Sequence, residues 1–289
     1  METWILYALL ASGFAGITTI LAKIGISGVN SHLATAIRTG VIVIFSWIIV
    51  FLFGSHTEIS FVSGRTWFFL IASGLATGAS WLCFFYALKL GTVSQVSPLK
   101  KSSMVLTLIL AFVILGEPLG IWQLVGMAFI IIGTALMIKF KKAEVSNEKK
   151  YHWLIFGLLA AVFASLVTIF GAIGIQDVDA NLGNGIRVIV VLGASWMMVF
   201  VTKNCGGIKK ISGKSWLFLV LSGITTGASW LFYFSALQIG PASGVVPIDK
   251  LSILLNIFFA YIFLGEKQKP KQLAGLMCLT IGTLLLVMI

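Results

Sequence analysis

Apolar runs of about 20 residues, the length that crosses a bilayer as a helix, recur ten times along the chain. They lie near 4–25, 32–53, 66–88, 95–115, 119–140, 152–174, 181–202, 215–237, 244–264 and 268–288. Only short polar turns separate them, so the pattern predicts an all-α membrane protein of ten transmembrane helices with little left for a soluble domain. The first run starts almost at Met1, with Glu2 rather than a basic segment ahead of it. More spans follow at once, so it is expected to be a helix and not a cleaved signal peptide. The hydrophilic stretch of note is Lys139 to Lys150, near the middle of the chain.

That stretch divides a duplication. Shifted against itself by about 149 residues, the chain aligns 4–140 with 153–289 without a gap, and about 54 of some 137 pairs are identical. Apolar composition alone does not produce such a match. Thr77-Gly78-Ala79-Ser80-Trp81-Leu82 recurs as Thr226-Gly227-Ala228-Ser229-Trp230-Leu231, Ile37-Arg38 as Ile186-Arg187, and Leu115-Gly116-Glu117 as Leu264-Gly265-Glu266. The expected organisation is a first five-helix repeat over 1–140, a basic linker over 141–151 and a second repeat over 152–289. Five spans per half is an odd number, so the second repeat enters the membrane from the other side and the pair is predicted to be inverted.

Composition and charge sharpen this picture. Of 289 residues, 59% are hydrophobic and 10% charged, with a mean hydropathy of +1.06, which excludes an ordinary soluble domain. The net charge of +11 sits in short loops between apolar runs, where it sets membrane orientation rather than binding nucleic acid. Lys23, Lys89, Lys139, Lys141 and Lys142 follow odd-numbered helices of the first half. Lys149, Lys150, Lys203, Lys209, Lys210, Lys214, Lys267, Lys269 and Lys271 fall on the same face in the second. That face is expected to be cytoplasmic in the plasma membrane, with both termini outside. Cys83, Cys205 and Cys278 have no paired spacing and only three His accompany them, so neither a disulfide framework nor a metal site is predicted.

Ionisable residues inside spans are costly and mark candidate function. Arg38 and Arg187, related by the repeat, either face a cavity and hold a carboxylate or phosphate by paired hydrogen bonds or serve as interhelical packing. Pro98 and Pro247 fall early in the fourth and ninth spans, where a missing backbone donor breaks the helix and frees carbonyls to line a cavity. Asp249 is the acidic residue well inside a span, and its repeat counterpart is Lys100. It is a candidate proton-coupling site, the alternative being a fixed pair with Lys250, Lys101 or Arg187. Lys101 and Lys250 are further candidate substrate contacts. Trp81 and Trp230 either wall the cavity or anchor helices at the headgroups, and Ser80 and Ser229 offer hydroxyls to the same wall. Gly74 with Gly78 and Gly223 with Gly227, and the pairs Gly126–Gly133 and Gly275–Gly282, are predicted packing seams. Glu117 and Glu266 are expected to cap the helices that follow them. No nucleophile elbow, zinc-protease motif or phosphate-binding loop is present, so no enzyme, cofactor or ATP-driven pump is predicted.

Two five-span repeats, each with a Pro-containing fourth helix, a Leu-Gly-Glu turn and a Gly-x6-Gly fifth helix, resemble the EamA family of the drug/metabolite transporter superfamily along the whole chain. The resemblance implies a helical bundle around a central substrate cavity, alternating access, and export of amino acids or other small metabolites. Two features depart from it. Family members are often drawn with both termini in the cytoplasm, whereas the lysines here place both outside. The related small multidrug resistance proteins use a Glu in their first helix, and here that helix has no carboxylate after Glu2.

The expected function is therefore a secondary, proton-coupled exporter of a small anionic or zwitterionic metabolite, working in the lipid bilayer as a monomer or homodimer. Two alternatives stand beside it: a flippase for a phosphate-bearing lipid or carrier, and a membrane scaffold without transport.

Overall fold

The structure is a computed structural model describing residues 2–90, 96, 99, 102–137, 152–202, 207–208, 211–252, 254–255 and 270–287. The described residues form helices and turns, with no strand. In chain order the helices are α1 (Thr3–Gly25), α2 (Ser31–Leu52), α3 (Gly64–Leu90), α4 (Ser103–Leu110), α5 (Ile121–Met137), α6 (His152–Gly174), α7 (Ala180–Val201), α8 (Gly213–Ile239), α9 (Ala242–Lys250) and α10 (Pro270–Val287). Six of them, α1, α2, α3, α6, α7 and α8, are long and apolar enough to cross a membrane. Shorter apolar helices occupy Ser103–Leu115, Ile121–Leu136 and Leu273–Leu286. Large apolar side chains such as Ile44 (63%), Phe68 (65%) and Met197 (65%) are exposed, a surface suited to lipid and not to water.

Equivalent positions of the two halves start their helices alike. Asn30 caps α2 by accepting from the His32 and Leu33 amides, and Asp179 caps α7 by accepting from Asn181 and Leu182. Ser63 Oγ accepts from Thr66 N at the start of α3, as Ser212 Oγ does from Ser215 N at the start of α8. Each side-chain oxygen meets an amide that has no partner within its helix.

The chain divides into two compact units that interleave the sequence halves. One comprises Met1–Leu75, Phe170–Gly240 and Asp249–Glu266; the other comprises Ala76–Ile169, Pro241–Ile248 and Lys267–Ile289. In the first unit α8 packs on α1 and α2, and α2 on α7. The stacked rings of Phe14 and Phe232 lie 5.8 Å apart, and Thr18 Oγ1 donates to Thr225 Oγ1 at 2.8 Å. Close approach needs glycine: a Cβ on Gly223 would stand 2.7 Å from Val41 Cβ and 3.1 Å from Arg38 O. A Cβ on Gly74 would stand 2.7 Å from Val190 Cβ and 3.0 Å from Arg187 O. These two contacts are the same contact displaced by the repeat.

In the second unit α5 packs on α10. A Cβ on Gly126 would lie 2.8 Å from Gly282 O, and one on Gly133 would lie 2.7 Å from Gly275 O. The earlier glycine of one helix meets the later glycine of the other, so the two helices run antiparallel, and the predicted glycine seam is a contact between the fifth helices of the two repeats.

Candidate substrate-binding and coupling site

Arg187 is placed on α7, where the chain is rich in small residues, and only 2% of it is exposed. Its Nε donates to Ser73 Oγ at 3.1 Å. Its guanidinium carbon lies 4.7 Å from the Trp230 ring centre and 4.6 Å from that of Phe234. Two aromatic faces and a hydroxyl therefore replace water around this cation. The fit is tight: a Cβ on Gly171 would meet the Phe234 ring at 2.4 Å and Ser73 Oγ at 3.4 Å. Tyr233, one residue before Phe234, is itself buried.

Arg38, the repeat counterpart on α2, stands differently. It is partly exposed, and its Nη2 donates to Thr226 Oγ1 at 2.9 Å. The Thr226 hydroxyl spends its own proton on Ser222 O at 2.6 Å, which leaves its lone pairs for the guanidinium. Arg38 Nε is buried and has no partner among the described residues. A planar donor with an unused N–H beside a used one suits a carboxylate or phosphate oxygen.

Asp249 and Lys250 close the short helix α9 and form an ion pair at 2.6 Å, with 13% of the Asp side chain and 44% of the Lys side chain exposed. The lysine lies in the last turn, where a cation opposes the negative end of the helix. Pro247 within α9 has no N–H for the carbonyl four residues back, that of Ser243. After Lys250 the helix gives way to a turn at Leu251, in which Leu254 N donates to Leu251 O at 2.9 Å. The helix thus continues through Pro247, and the turn lies four residues beyond it, next to the ion pair.

The other foreseen residues are placed as follows. Ser229 Oγ donates to Ala11 O at 2.9 Å and Ser80 Oγ to Ala160 O at 2.8 Å. Both hydroxyls, expected on a cavity wall, are engaged in the repeat-related contact between a third helix and a first helix. Trp230 lies against Arg187, and Trp81 is half-buried on α3. Lys101 and Pro98 fall outside the described residues, as do Lys100 and Glu266. Sequence reasoning overlooked Thr226, Ser73 and Phe234 as arginine partners, and it overlooked Tyr233. A signal existed for the last: Tyr233 stands where the first half has Phe84, one of the places where the repeat is broken by a polar group. Glu117, expected to cap the helix after it, instead reaches the start of α9, where Oε1 accepts from Ala242 N at 2.7 Å and Oε2 from Ser243 N at 2.8 Å.

The profile of the EamA-like transporter family matches twice, over residues 2–139 and 152–288. The chain belongs to this family. EamA-like transporters are membrane proteins, and this member is a multi-pass membrane transporter, a class whose substrates are small molecules. An uncharacterized transporter from the cobO 3′ region of Sinorhizobium sp is 45% identical over 139 residues, which is 48% of this chain and 99% of that protein. The Sinorhizobium protein is therefore about the size of one EamA repeat. Solute carrier family 35 member G1 of Homo sapiens is 25% identical over 219 residues, 73% of this chain and 59% of the human protein. A solved crystal structure superposes with a TM-score of 0.80 at 15% identity, covering 98% of this chain and 96% of the other. At that identity the likeness is one of fold alone.

Proposed function

We propose that this EamA transporter exports a small anionic or zwitterionic metabolite, such as an amino acid, in exchange for protons. Arg38 carries the reading: it is partly exposed, and its Nε–H, without a partner among the described residues, stands next to an engaged Nη2 in an arrangement that suits an oxyanion. Arg187, boxed by Trp230, Phe234 and Ser73, takes the packing role within this reading. Asp249 is the coupling carboxylate and Lys250 its counter-charge, set at a helix break where polar groups have departed from the repeat pattern. In this reading proton and substrate are exchanged, so binding depends on pH and loses that dependence when Asp249 is replaced by Asn.

The same reading holds ten spans in two inverted repeats, over 1–140 and 152–289. The antiparallel α5 and α10 with their crossed glycine pairs support the inversion. The lysine placement supports a cytoplasmic basic face and termini outside. A membrane-impermeant thiol reagent applied to sealed cells tests that orientation at Cys205, which lies outside the described residues. Labelling from outside overturns it.

The test of function is a thermal-shift screen of the purified protein against amino acids, organic acids, phosphorylated metabolites and quaternary amines. A ligand that binds only the folded state raises apparent stability by mass action. The expected result is a carboxylate-bearing hit that is lost in Arg38→Ala and whose affinity depends on pH. In Asp249→Asn that hit persists without its pH dependence. A hit untouched by Arg38→Ala overturns the anchor, unchanged pH dependence in Asp249→Asn overturns the coupling, and silence across the water-soluble panel favours a lipid-linked phosphate substrate.

A further inference from the structure

The short helix α9 begins without a cap of its own. Pro241 takes the cap position, since its carbonyl accepts from the Gly244 and Val245 amides at 3.0 Å each. Neither Pro241 nor the preceding Gly240 has a side-chain oxygen, so the amides of Ala242 and Ser243 have nothing local to meet. Ala242 through Ile248 are all buried, and a buried amide left without a partner costs about 1–3 kcal/mol.

Glu117 meets both amides from more than 120 residues away, with one carboxylate oxygen for each. What aims it is the end of the preceding helix. α4 runs on into a π-helical turn at Ala111–Leu115, and Gly116 then adopts the left-handed conformation with φ 70° and ψ 18°. The Gly116 amide turns back to Ala111 O, and the Glu117 amide donates to the same carbonyl at 3.3 Å. A side chain at position 116 would be strained by about 1 kcal/mol, and without that turn the carboxylate would leave in another direction. The Leu115-Gly116-Glu117 signature therefore has a physical content: a terminator that only glycine adopts cheaply, followed by a carboxylate delivered to a helix elsewhere. The positive end of α9 stabilises the negative charge in return.

Asp249 and Lys250 ride on the other end of this nine-residue helix, about 10 Å further along at 1.5 Å per residue. We propose that Glu117 is the positioning residue of the transport site: its two-pronged grip on the Ala242 and Ser243 amides sets the tilt and register of α9 and so fixes where Asp249 and Lys250 stand. The inference rests on the reading above that Asp249 and Lys250 serve transport. It differs from a purely local cap, which would stabilise the helix start and leave the far end where it is.

The experiment reads the far end directly. In the full chain, with Cys83, Cys205 and Cys278 replaced by Ser, Ser252→Cys is placed two residues beyond Lys250. Its reaction rates with an anionic and a cationic methanethiosulfonate are compared in nanodiscs, because their ratio reports the local potential set by the Asp249–Lys250 pair. Glu117→Gln is expected to shift that ratio by about threefold or more and to speed amide exchange over residues 240–244 by about tenfold. Glu117→Asp, which keeps the charge and both oxygens, recovers most of both effects. Faster exchange with an unmoved ratio overturns the proposal and leaves Glu117 a local cap. Should Glu117→Gln not be recovered folded, the same two readings are taken on Ala242→Pro. That change removes one of the two gripped amides at a first-turn position that proline tolerates. The potential ratio does not depend on transport, so an intact pH dependence in Asp249→Asn would sink the coupling role without touching this result, and the converse also holds.

Discussion

Arg38 and Arg187 occupy the same place in the two repeats, on helices that approach their neighbours through the same glycine contact, yet their side chains live in different surroundings. Arg187 is shut between two aromatic rings with its Nε on a serine. Arg38 is partly exposed, bonded through Nη2 to Thr226, and its Nε has no partner among the described residues. The lesson is that the duplication sets the backbone frame while the side chains divide the labour within it. A buried guanidinium that stacks between rings contributes to holding helices together, whereas a partly exposed one is open to a ligand.

The sharpest way to break this comparison is to truncate each arginine in turn. Arg38→Ala is expected to abolish ligand-induced stabilisation while leaving the ligand-free melting temperature near that of the wild type. Arg187→Ala removes two cation–π contacts and leaves a gap between the rings, for a loss of about 2–4 kcal/mol. That loss should register as a melting temperature lower by several degrees. The reverse pattern would exchange the two roles. Next in size is the pair of lysine replacements. Lysine keeps the charge but not the planar stacking surface, so Arg187→Lys should recover only part of the stability. Arg38→Lys should retain some ligand binding, weakened by about tenfold, a loss of about 1.4 kcal/mol. Removing the hydroxyl partners is milder. Ser73→Ala and Thr226→Ala should each cost about 1 kcal/mol, the first read in melting temperature and the second in ligand affinity. The smallest effect is a control on α7. Gly193 has open space around its missing side chain, so Gly193→Ala should be neutral or stabilise by up to about 1 kcal/mol through helix propensity. A large loss there would mean that α7 is more crowded than its contacts indicate.

Much of the frame could be read from residue order alone. The six long helices end within two residues of the expected spans, because a bilayer imposes a run length that needs no knowledge of partners. The repeat pointed to Arg38, Arg187 and the glycine seams. What stayed hidden was pairing at a distance. Nothing local to Ser80 or Ser229 says that each hydroxyl goes to the backbone of another helix, and nothing near Trp230 says that it lies on Arg187. The reach of Glu117 to Ala242 and Ser243 was missed for a related reason. A carboxylate after a helix terminator is most simply assigned to the next helix in the chain, whereas here the free amides lie elsewhere. The interleaving of the two halves into two compact units is likewise a property of the folded chain, invisible to periodicity.

The crossed glycines of α5 and α10 bear on ancestry. Each repeat brings both an early and a late glycine, and the early one of either repeat meets the late one of the other. A contact built in that manner is self-complementary, so two separate copies of a single half could close it as readily as two halves of one polypeptide. Fusion into one gene changes nothing at the seam, but it frees the copies to mutate independently. The two copies of this chain have diverged in that way, with Asp249 where the other has Lys100 and Tyr233 where the other has Phe84.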